Sequence, residues 1–128
     1  MRVQSDLRSR PVQTPVEKKW IGFEWSFRGD SGEVTAVSFA QAVERAKVAW
    51  LRQHNIGPQS RNFKAEMQNL HDSPFRLKLN VESFNRFLAL YKSFQQGEIN
   101  AEGKADLRQF QSIIQSKEVH NEHHFPER

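Results

Sequence analysis

The chain has 128 residues, room for one ordinary domain or two very small ones, which excludes a multidomain machine. Ten Phe and three Trp among 37% hydrophobic residues supply the apolar surface for a core, yet no stretch nears the roughly 20 apolar residues of a membrane-spanning helix. The absence of Cys removes disulfides, zinc-thiolate sites and thiol catalysis, and with no apolar h-region in the first 25 residues the expected setting is cytoplasmic.

The net charge of +4 is unevenly placed. Residues 1–19 carry five basic and two acidic side chains, and residues 57–81 carry four and two, whereas 20–56 and 82–118 are each balanced. Residues 1–17, with Pro11 and Pro15 and no apolar period, read as a flexible basic arm.

From Trp20 the pattern alternates. Ile21, Phe23, Trp25 and Phe27 point to one side, and Gly22, Glu24, Ser26 and Arg28 to the other, as in a half-buried strand. Gly29-Asp30-Ser31-Gly32 has turn chemistry, and residues 33–37 form the expected return strand. Ser38-Phe39-Ala40-Gln41 has the form of a capping box, with the Gln41 side chain reaching back to the Ser38 amide. Phe39, Val43, Ala46 and Trp50 then make one apolar helical stripe, stopped by His54-Asn55-Ile56-Gly57-Pro58.

Phe63, Met67 and Leu70 predict a short amphipathic helix, and Phe75-Arg76-Leu77-Lys78-Leu79 alternates as a third strand. Asn80 is placed to cap a helix carrying Phe84, Phe87, Leu88, Tyr91 and Phe94 as far as Gly97. Asn100 caps a second helix with Ala105, Leu107, Phe110, Ile113 and Ile114, and the short link makes the pair antiparallel. After Lys117 the apolar pattern stops, so residues 119–128 read as a flexible tail. The expected fold class is α+β: a small antiparallel sheet packed by a helix, then an antiparallel helical hairpin, in one compact domain over residues 18–118.

Catalysis has little support. The chain lacks a Walker or Rossmann phosphate loop and a G-x-S-x-G elbow. His71-Asp72-Ser73 contains the letters of a triad, but consecutive side chains diverge and cannot relay a proton. His120, His123 and His124 have helical metal-ligand spacing, yet lie past the last apolar position, where a closed site is not expected. Glu82 and Arg86 read as a surface ion pair, and His54 as a favourable charge at a helix C-terminus. The expectation is a protein that is not an enzyme, without cofactor or metal.

The most suggestive constellation combines cations and an aromatic ring. With the apolar side of the hairpin under the helix, the outer face would show Trp20, Glu24, Ser26 and Arg28, joined by Arg76 and Lys78 from the third strand. Such a face contacts phosphates through its cations and a base or sugar through Trp20, with Arg2, Arg8, Arg10, Lys18 and Lys19 of the arm reaching a groove. The opposing interpretation is structural: outward Arg and Lys discourage edge pairing, and Trp20 covers the core.

The order strand, turn, strand and then Val37-Ser38-Phe39-Ala40-Gln41-Ala42-Val43-Glu44-Arg45-Ala46 resembles the sheet-to-helix junction of AP2-like and phage-integrase arm-type DNA-binding modules. The resemblance covers about a third of the chain, and it implies a sheet that reads DNA, with Arg28 as a phosphate contact. Glu24 and Glu33 depart from that pattern, standing where cations would be expected. Two functions therefore compete. One is a nucleic-acid-binding accessory factor of a mobile element or phage, with DNA or RNA as partner. The other is a protein-interaction module, such as an adaptor, secretion-linked factor or inhibitor, docking through its aromatic helices.

Overall fold

A computed structural model describes the backbone of residues 18–123, with side chains described as far as residue 116. The element order is β1 (Ile21–Phe27), β2 (Asp30–Ala36), α1 (Phe39–Gln53), α2 (Phe63–Asn69), β3 (Arg76–Leu79), α3 (Val81–Gln95) and α4 (Ala101–His123). The three strands form one antiparallel sheet in the order β2-β1-β3. This is a small α+β fold ending in a helical hairpin.

The alternation in β1 becomes burial. Ile21, Phe23, Trp25 and Phe27 are all at most 4% exposed and face α1. Leu77 and Leu79 lie beside Trp25 and Phe23 on the same face, which Ala42, Ala46 and Leu51 of α1 cover. Alanine at 42 and 46, both fully buried, lets α1 lie close to the sheet. Gly32 pairs with Trp25, and a Cβ there would sit 2.8 Å from the indole ring, so the width of Trp25 dictates the glycine.

The hairpin turn falls two residues earlier than its Gly-Asp-Ser-Gly run implies. Arg28 and Gly29, with φ of 51° and 85°, make a two-residue turn that pairs Phe27 with Asp30. Asp30 is thereby a strand residue on the α1 side of the sheet. Its Oδ2 accepts from Trp50 Nε1 at 2.8 Å and lies 3.0 Å from His54 Nε2.

Helix ends follow their capping residues. Ser38 Oγ accepts from the Gln41 amide, Asn80 Oδ1 from the Ser83 amide and Asn100 Oδ1 from the Gly103 amide. The capping box is not reciprocal, however. Gln41 Oε1 accepts from the Val37 amide at 2.8 Å, because that amide has just left the strand ladder and needs an acceptor. At the far end of α1, Asn55 takes φ 66° while the Ile56 amide bonds the Leu51 carbonyl. The last helix continues to His123, past Lys117 where the apolar pattern stops.

Candidate functional site

Of the cations expected to share one face, Arg76 and Lys78 do so and Arg28 does not. Arg76 and Lys78 of β3 lie on the open face of the sheet, beside Ser26 and Glu24 of β1. Lys78 Nζ is 3.7 Å from Glu24, and Glu33 stands directly across from Glu24, so acids and bases on this face balance. Arg28 is a correction to the expected outer-face set. At the turn its guanidinium packs over the rings of Phe27 and Trp50, at 4.8 and 5.8 Å, because the positive φ at the tip turns it toward α1.

Trp20 is also placed away from Arg76 and Lys78. The ring is 57% exposed and stacks with Arg45 of α1, whose guanidinium carbon is 4.9 Å above it. Lys19 is tied to α4: its Nζ bonds Glu102 at 2.8 Å and Asp106 at 3.2 Å. Those hydrogen bonds, Glu102 first, hold its ammonium above the ordinary lysine value of 10.5. Lys18 is exposed, while Arg8 and Arg10 lie outside the described residues.

Two polar nodes lock α4 to the rest of the fold, and neither has a sequence signal. Gln109 is 9% exposed; its Oε1 accepts from the Lys19 amide, and its Nε2 donates to the carbonyls of Lys19 and Val37, at 2.8–3.0 Å. Asp106 accepts from Arg86 Nη2 at 3.1 Å as well as from Lys19. Arg86 thus pairs across the helical hairpin to Asp106, not along its own helix to Glu82, and it also lies 5.4 Å over the Phe110 ring.

His71 and Asp72 are an exposed pair 3.7 Å apart. No group of three or more His, Cys, Asp or Glu able to hold a metal occurs among the described residues. The side chains of His120, His123 and His124 lie outside those described.

Helix α3 carries large apolar side chains that the core does not cover. Phe87 and Leu90 pack on the core, with Phe87 5.7 Å from the fully buried Phe110, and Ser83 is buried. The other side carries Val81, Phe84, Leu88 and Tyr91, which at 100° per residue fall within an arc of about 80°. Phe94 extends this stripe on the flank next to Phe87. All five are between 41% and 69% exposed and together present on the order of 500 Å² of apolar surface, at the upper end for an isolated chain.

Compared with known proteins, the chain matches no family model, no curated protein and no solved structure. No helix among the described residues is long and apolar enough to cross a membrane.

Proposed function

We propose that this protein is a non-catalytic protein-binding module whose partner is another protein offering an apolar groove, docked along the outward stripe of α3. The observation that carries this reading is the two-sidedness of the helix: its inner face is in the core while Val81, Phe84, Leu88, Tyr91 and Phe94 remain open. Their i, i+3, i+7, i+10 and i+13 spacing is that of an amphipathic helix laid into a groove, with aromatic anchors of the kind that dominate such interfaces. The cations lend less support to DNA or RNA as the partner. Arg28 is stacked at the turn, Lys19 is bound to two carboxylates, and Lys78 shares an acid-balanced face.

Co-purification from the cells that make the protein tests this. The double variant Phe84→Ser, Leu88→Glu should remain folded at a cost of about 1–2 kcal/mol, because both side chains are only half covered and the ring contact of Phe84 with Phe87 is given up. It should lose a partner protein that the parent and an Arg76→Glu, Lys78→Glu variant both retain after nuclease treatment. Retention by the stripe variant, with nuclease-sensitive loss in the Arg76→Glu, Lys78→Glu variant, would favour nucleic acid instead.

A further inference from the structure

The free edge of β2 is guarded at both ends and open between them. The two-residue turn makes Phe27 and Asp30 a hydrogen-bonded pair, so ladder alternation puts the main-chain groups of Ser31, Glu33, Thr35 and Val37 on the side away from β1. Gln53 Nε2 covers the Ser31 carbonyl at 3.1 Å. Gln41 and Gln109 cover the amide and the carbonyl of Val37. Among the described residues, nothing bonds the outward main chain of Glu33 or Thr35. Edges with this exposure are templates for another strand unless blocked.

Beside this open stretch runs a groove of about 630 Å³ between β2 and α1, with Val34, Val48 and Ala49 along it and Arg45 and Arg52 from α1. The two arginines are two helical turns apart, about 10.5 Å along the axis, which is the length of roughly three residues of strand. No carboxylate among the described residues lies within ion-pair distance of either guanidinium; Arg45 stacks on the exposed Trp20 ring at 4.9 Å, which leaves its N–H edge for an acid, and Arg52 is exposed. Glu33 also lines this groove, but its register with Glu24 directs its side chain to the open face of the sheet, and no ion pair joins it to either arginine.

We propose that residues 33–35 and this groove take up an extended, acidic segment of a partner protein as a fourth strand. Main-chain bonds to Glu33 and Thr35 would fix its register. On its α1-facing side, carboxylates four residues apart, about 13 Å, straddle a small apolar side chain: the acids meet the long side chains of Arg45 and Arg52, and the apolar group rests on Val48 and Ala49. This edge is separate from the α3 stripe, so the two sites stand or fall independently.

The probe that follows from this pattern is an acetylated, amidated pentapeptide, Glu-Thr-Val-Thr-Glu, with Lys-Thr-Val-Thr-Lys as control. Titrated into the isotope-labelled full chain, the acidic peptide should shift the amide resonances of Glu33 and Thr35 and slow their hydrogen exchange at least about fivefold. The lysine peptide should do neither, and Arg52→Glu, an exposed change, should weaken binding of the acidic peptide several-fold. Unchanged amides at millimolar acidic peptide, equal binding of the lysine peptide, or indifference to Arg52→Glu would overturn the proposal. Protection of Glu33 and Thr35 before any peptide is added would overturn it too, since the edge would then be occupied by this chain or a second copy.

Discussion

The amide of Gly22, in the central strand, donates to Oγ of Ser83, in the first turn of α3, at 2.9 Å. The Asn80 amide returns a bond to the Gly22 carbonyl at 3.0 Å, so both main-chain groups of Gly22 are engaged by the start of α3. A Cβ at Gly22 would run into the Asn80 side chain, which is why the strand carries a glycine here. This clamp sets the rotation of α3 about its axis. With Ser83 held against the sheet, Phe87 and Leu90 turn to the core, and Leu88 turns outward.

Ser83→Ala should therefore cost about 1–2 kcal/mol, the effect of leaving a partly buried amide without its acceptor. Urea unfolding measures it. A loss within error of zero would show that the Gly22 contact does not hold the helix.

Gln109→Leu should be more damaging, at about 2–3 kcal/mol, because one side chain satisfies the Lys19 amide and the carbonyls of Lys19 and Val37. Leucine keeps the volume but leaves all three groups without this partner. Thermal and urea melts should agree on the loss, and hydrogen exchange should localise it to the start of β1 and the end of β2.

The pH dependence has two opposite arms. Bonding to His54 first, then to Trp50, holds the Asp30 carboxyl below its usual 3.8, so its contribution is present above that value and is lost as pH falls through the lower folded pKa. The stability gap between the parent and Asp30→Asn should be steady at pH 5 and close as pH drops below about 4. Lys19 is raised, so its contribution is complete below 10.5 and disappears as pH rises through the higher folded value. The gap to Lys19→Gln should persist at pH 9 and close only above about 10.5. Stability differences that do not change at either extreme would show that these contacts do not form in solution.

Much of the fold was legible because burial leaves periodic marks. The alternation from Ile21 to Phe27, the caps Ser38, Asn80 and Asn100, and the strand at Leu77 all appear where the pattern puts them. The aromatic loading of the helical hairpin is also visible in the sequence, in Phe84, Phe87, Tyr91, Phe94 and Phe110. Arg28 leaves the expected outer face because the chain turns at Arg28-Gly29, and Asp30, Ser31 and Gly32 belong to the strand. The earlier turn wins by placing Asp30 on Trp50 and His54, a contact about 20 residues distant in sequence. Gln109 and Asp106 left no trace because polar residues on a helix look alike until their tertiary partners are known.

The docking surface itself is tested most directly by placing a benzophenone side chain at position 88 and, as a control, at exposed position 108 on α4, then irradiating the producing cells. The predicted result is one discrete protein adduct from position 88 and none from position 108. No adduct at 88, or equal adducts at both positions, would contradict a role for the α3 stripe in binding another protein.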